Sequence, residues 1–153
     1  MRGPGAARAA RLGACLALAL VLPLAGCGDP TENYCNDLQQ HTKQISEMVG
    51  SGSPSALLSG LPVLRDLAAK SPDDLDDEWQ TLLGALEGLN DAIKAAGVKP
   101  SDFKGGKPPA GLSAGDQKAI ADAADQIGTD EVVQASSGIE QQARDVCKVN
   151  LGL

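Results

Sequence analysis

The stretch SPDDLDDEWQTLLGALEGLNDAIKAAG, residues 71–97, decides the fold. Leu75, Trp79, Leu82, Leu83, Leu86, Leu89 and Ile93 recur at steps of three and four, so they share one face of a long amphipathic helix. Ser71-Pro72 is a start signal, an N-cap residue followed by a proline at the first helical position. Asp73 and Asp74 then fill the first turn, where carboxylates meet the positive end of the helix dipole. Gly97 stops the run. At about 25 residues it is the longest apolar stripe in the chain, and the rest of the core is expected to pack against it.

Toward the N-terminus, Tyr34, Leu38, Ile45, Met48 and Val49 mark a helix over Glu32–Val49 that ends at Gly50-Ser51-Gly52. Ser53-Pro54 opens a segment with Leu57, Leu58, Leu61, Leu64 and Leu67. Gly60 and Pro62 interrupt it, because an interior proline removes a hydrogen bond and clashes with the preceding turn. A kink or two short helices are expected between 54 and 70.

Toward the C-terminus, Val98–Leu112 breaks the helical rhythm with Pro100, Gly105, Gly106, Pro108, Pro109 and Gly111, and reads as a long loop carrying Lys99, Lys104 and Lys107. Phe103 is placed to pin it. Ser113 with Asp116 caps a helix that turns Ala119, Ile120, Ala123, Ala124 and Ile127 inward and stops at Gly128. Thr129 caps a last one, Asp130 to Lys148, with Val132, Val133, Ala135, Ile139, Ala143, Val146 and Cys147 inward. The two form one bent rod, and Leu151 and Leu153 lie back on the bundle. The fold class is therefore all-α: a single antiparallel bundle of four layers, built from four to six helices.

Residues 1–26 read as a removed targeting segment. Arg2, Arg8 and Arg11 precede an apolar run, Leu12–Leu22, and Pro23 precedes small residues. The run is short of the ~20 residues that span a bilayer, which disfavours a retained transmembrane helix. Leu24-Ala25-Gly26-Cys27 has the form of a lipobox, in which a diacylglyceryl group is joined to the cysteine sulfur and cleavage follows in front of it. Cys27 is the expected lipidation site. Two acyl chains anchor stably where one is marginal, at ~0.8 kcal/mol per buried methylene. Residues 27–31 then form the anchor and a short tether, and 32–153 the bundle domain, long enough for one core. The eight residues from anchor to Cys35 reach at most ~28 Å, which keeps the domain close to the outer face of the cytoplasmic membrane.

Once Cys15 leaves with the signal and Cys27 takes lipid, Cys35 and Cys147 remain. An exported pair reads as a disulfide. It ties the start of the mature chain to its end, where an up-down-up-down order also brings the two termini together.

These features resemble a family of small, Ala-rich, uncharacterised actinobacterial lipoproteins. The resemblance is carried by the lipobox, Tyr34-Cys35, Asp77-Glu78-Trp79-Gln80, Lys107–Ser113 and Ala143-Arg144-Asp145-Val146-Cys147. It implies export and the disulfide, and no chemistry.

Thirteen basic and twenty acidic residues, with three arginines in the removed segment, leave the mature chain near minus ten. Such a surface repels phosphates, so nucleic acid is excluded as a partner and the membrane is reached through the lipid alone. Asp73, Asp74, Asp76, Asp77 and Glu78 form the densest charge cluster. A cation or partner contact is one reading; a solvated helix N-terminus is favoured, because the run lacks the alternation and central glycine of a calcium loop. His41 has no local metal or catalytic companions. Trp79 falls on the apolar stripe and reads as core rather than a stacking platform. No nucleophile elbow or phosphate loop occurs, and no cofactor beyond the covalent lipid is expected. The functional expectation is a non-enzymatic interaction module that meets an envelope protein. The alternatives are a small hydrophobic ligand or lipid carrier, recognisable by a cavity beside the long helix, and a weak divalent-cation binder.

Overall fold

The computed structural model describes residues 29–153, with Pro54 described by its backbone alone. Cys27, the lipobox and the signal segment lie outside the described residues. Among the described residues there are six α-helices and no strand: α1 Pro30–Gly50, α2 Pro54–Ser59, α3 Leu61–Ala68, α4 Asp76–Ala95, α5 Ala114–Ile127 and α6 Asp130–Asp145. None is long and apolar enough to cross a membrane.

α1 starts two residues earlier than its apolar pattern. Asp29 caps it by accepting from Thr31 N at 2.9 Å, and Pro30 takes the first turn. The interrupted segment is two short helices meeting at Gly60, with Pro62 in the first turn of α3. The long helix differs at its start: Asp73–Leu75 is a 3-10 turn, and α4 proper begins at Asp76. Ser71 does not cap it. Its hydroxyl instead donates to Ala68 O at 2.8 Å, closing α3. Thr129 behaves alike, its hydroxyl donating to Gln126 O at 2.9 Å, whereas Ser113 does cap α5 by accepting from Asp116 N at 3.1 Å.

Three antiparallel pairings set the layers. Lys70 meets Asp37 at 2.6 Å across α1 and α3, and Met48 lies against Gly60 farther along the same pair. Arg65 meets Glu87 at 2.8 Å across α3 and α4. Along α4, Ile93 clusters with Ile120, Gly84 shares a surface depression with Thr129, and Glu78 Cγ lies 3.1 Å from where a Cβ on Gly138 would stand. As the number rises on one side it falls on the other, without a shift at Gly128. α5 and α6 therefore behave as the bent rod expected, lying antiparallel along α4.

The order returns α6 beside α1, where Cys35 and Cys147 are joined with Cα atoms 4.9 Å apart. One core cluster surrounds Tyr34, Leu38, Trp79, Leu86 and Ile139; a second, at the other end, holds Leu58, Leu89, Ile93 and Ile120. Leu151 is fully buried and Leu153 packs beside it, as expected of the tail. Three apolar residues expected inside are outside: Val133 is 53 % exposed, Val146 is 51 % exposed, and Ala119 is also exposed. The inward stripe of α6 is Val132, Ala135, Ile139 and Ala143, which turns Val133 a full step away. α6 also stops at Asp145 rather than Lys148, with Val146 as its C-cap, still bonded through its N–H to Gln142 O at 2.9 Å.

Candidate binding site

The loop at 98–112 is built rather than slack. Pro100–Asp102 forms a 3-10 turn whose Asp102 carboxylate accepts from Lys99 N at 2.9 Å. Lys104 and Lys107 then exchange two backbone hydrogen bonds, 3.2 and 3.1 Å. Gly105 and Gly106 between them have φ of 58° and 75°, the pair of positive angles that a two-residue type I′ turn requires. Phe103 and Leu112 pack onto the second core cluster, so the loop is pinned at both ends of this turn.

Beneath the loop is a cleft of about 160 Å³. Leu89 and Ile93 of α4 and Ile120 and Ala124 of α5 form its floor, and Phe103 and Pro108 of the loop form its lip. Its polar side chains are Ser55 and Gln117, neither of which titrates near neutral pH. A dry apolar cavity of ~150 Å³ holds one benzene ring, so this cleft suits one ring-sized or branched apolar group. An open groove of about 590 Å³ continues from it between α2 and residues 99–101, sharing Ser55 and Pro100 with the cleft. A separate notch of about 220 Å³ lies farther along α4, between Leu57, Leu64, Leu82, Leu86, Val132 and Leu153.

The lysines of the loop differ from most of the other cations. Lys43, Arg65, Lys70, Lys94, Lys118 and Arg144 each lie within 4.0 Å of a carboxylate. Among the described residues Lys99, Lys104, Lys107 and Lys148 do not, and all four are exposed; Lys148 donates to the Asp145 backbone carbonyl at the disulfide end, so three of the four are grouped in the loop. In a strongly acidic protein, a group of three unneutralised positive charges thus flanks the apolar cleft: Lys99 lines the adjoining groove, and Lys104 and Lys107 are chain neighbours of the cleft residues Phe103, Gly106 and Pro108.

The other sequence candidates take ordinary positions. Asp73, Asp74, Asp76 and Asp77 are exposed around the 3-10 turn and the first turn of α4, and Glu78 turns toward Gly138. No group of three or more His, Cys, Asp or Glu that could hold a metal ion occurs among the described residues. His41 is half-buried on α1. Trp79 is core: its Nε1 donates to Tyr34 Oη at 3.2 Å inside the bundle, so its ring is not free to stack on a ligand. Burial pushes the Tyr34 hydroxyl up to about 12, and the Trp79 N–H works against this by favouring the phenolate.

One residue with a distinct role escaped the sequence reading. Glu140 is buried, and its Oε2 accepts from three successive backbone N–H groups, Leu151, Gly152 and Leu153, at 3.1, 3.0 and 3.4 Å. The carboxylate holds the C-terminal tail on the bundle. Only its place beside Ile139, at the edge of the inward stripe, hinted at burial.

Compared with protein-family models, with curated proteins and with solved structures, the chain has no match.

Proposed function

We propose that the chain is an exported lipoprotein, held at the outer face of the cytoplasmic membrane by a diacylglyceryl group on Cys27, and that its bundle is a non-enzymatic interaction module. The observation that carries the second half is the separation of the anchor from the cleft. α1 begins at Pro30, three positions after Cys27, and its 21 residues run about 31 Å at ~1.5 Å per residue. Ser55 follows its far end, so the cleft that Ser55 lines stands about the length of α1 away from an anchor at Cys27.

The carrier alternative is less well supported. The cleft and the notch are each smaller than the ~300–1,000 Å³ usual for small-molecule pockets, and distinct side chains line them. The groove of about 590 Å³ that continues from the cleft is larger, but it is open and runs between α2 and residues 99–101 rather than beside α4. A cleft with Ser55 and Gln117 as its polar groups is suited to accept an apolar group and not to move protons.

Native mass spectrometry of the lipoprotein gently extracted from its own envelope tests the module. A reproducible protein complex supports it; a bound lipid or metabolite beyond the covalent acyl groups favours a carrier. The anchor is tested separately: Cys27→Ser is expected to keep the fold and to leave the membrane fraction, and a variant that stays membrane-bound after washing defeats the tether.

A further inference from the structure

We infer that the cleft under the 98–112 loop, with the groove leading from it along α2, docks an acidic, extended segment of a partner protein. That segment places one apolar side chain in the cleft and its carboxylates against Lys99, Lys104 and Lys107. The inference rests on the interaction-module reading and specifies its surface.

Three independent features select this occupant. The cleft volume, about 160 Å³, matches one large apolar side chain and not a longer ligand. The open groove shares Ser55 and Pro100 with the cleft and runs on past Ala56, Ser59, Lys99 and Ser101, which gives a polypeptide on either side of such an anchor somewhere to lie. A small isolated molecule has no use for that surface. The third feature is charge. A mature chain near minus ten repels acidic partners over most of its surface. Six of its ten cations are already matched with carboxylates; of the four that are not, three are exposed lysines grouped in this loop, and the fourth, Lys148, stands beside Cys147 at the other end of the bundle.

Asp102, the acid within the loop, has its carboxylate engaged with the Lys99 backbone. Lys104 Nζ makes a long bond to Ser101 O, 3.4 Å, and stays exposed and available. An apolar anchor seated in a water-excluding pocket, with charges at the rim setting orientation and encounter rate, is the usual division of labour at an interface.

The test uses the full lipoprotein in mild detergent and a dye-labelled short peptide with a central Phe flanked by Glu, read by fluorescence anisotropy. It is expected to bind saturably, more weakly as salt rises, and at least ~tenfold more tightly than two controls, the same peptide with Phe→Ala and one with Lys in place of Glu. Ala124→Leu, which fills the cleft, and the double variant Lys104→Glu/Lys107→Glu, which lies wholly on the surface, should each lower the affinity by about the same factor. The surface pair decides the matter if the filled cleft perturbs folding. Equal binding of acidic and basic peptides, no saturable binding up to millimolar peptide, or binding that the lysine pair does not alter overturns the proposal. Native extraction of that pair separates this from the broader reading: a partner complex that persists in the variant defeats this surface alone, whereas the absence of any complex from the parent defeats the module itself.

Discussion

At the scale of single residues, two buried polar groups control stability. Glu140 gathers three amide donors that would otherwise be left beneath the tail. Hydrogen bonds to a charged group contribute roughly 1.5–3 kcal/mol, and donors left unsatisfied add a penalty. Glu140→Ala is therefore expected to lower unfolding stability by about 2–3 kcal/mol in urea, with faster hydrogen exchange at residues 151–153 than elsewhere in the protein. Unchanged exchange there would mean that Leu151 holds the tail unaided. Tyr34 gives the second case, with a defined sign. Its folded value, about 12, lies above the ordinary value of 10.0, so folding favours the neutral phenol. The contribution is complete below pH 10 and is lost as pH rises toward 12, because the unfolded phenol ionises first. A stability loss on the order of 2 kcal/mol is expected across that window, and Tyr34→Phe should flatten it. An equally steep decline in Tyr34→Phe would place the alkaline transition on other groups.

Elements show where local signals decide and where they yield. The α4 stripe, the break at Gly60-Pro62 and the Ser113 cap were legible because each rests on short-range stereochemistry that packing did not oppose. Ser71 and Thr129 carried the same start signal as Ser113, yet their hydroxyls close the preceding helix, each bonding back to the carbonyl three residues earlier, a local alternative open to a short hydroxyl side chain just after a helix. The cleft was only half legible. Pro and Gly marked the loop and its lysines, but the cleft floor comes from α4 and α5, and the way these meet depends on long-range register. Gly60 illustrates the same limit. Its sequence suggested a breaker, while the structure shows close approach: a Cβ there would overlap the Met48 thioether. With φ at −86° the backbone itself tolerates alanine. Gly60→Ala is expected to destabilise by about 1–2 kcal/mol through overpacking, and to become neutral or better in a Met48→Ala background, where ~1 kcal/mol of helix propensity is no longer opposed. A double-mutant cycle with no coupling between the two sites would refute the contact.

The whole molecule is tied together at one end and carries its cleft at the other. At the tied end the disulfide spans a sequence separation of 112, Gln39 Nε2 reaches Cys147 O at 3.4 Å, and Lys148, with φ of 59°, turns the chain so that Val149 N bonds back to Ala143 O at 2.9 Å. This is the left-handed termination that ends many helices, here carried by a non-glycine residue. These ties fasten the tail and α1 to α6 at the end where the chain leaves toward Cys27. Closing a loop of this length restrains the unfolded chain by ~4–5 kcal/mol, a large share of the ~5–15 kcal/mol that holds a domain of this size. The helix pairings along α4 do not depend on the bond. Cys35→Ser/Cys147→Ser is thus expected to remain helical, with its core contacts intact, while unfolding stability in urea falls by about 4 kcal/mol. The loss should concentrate at the tail and the first turns of α1, seen as faster exchange there, and should leave the amides around Phe103 and Ile120 protected to nearly the new global limit. Collapse of the helical signal in the double variant would show instead that the bundle requires its covalent closure to fold. A stability change below about 1 kcal/mol would show that Glu140 and Leu151 already restrain the terminus without it.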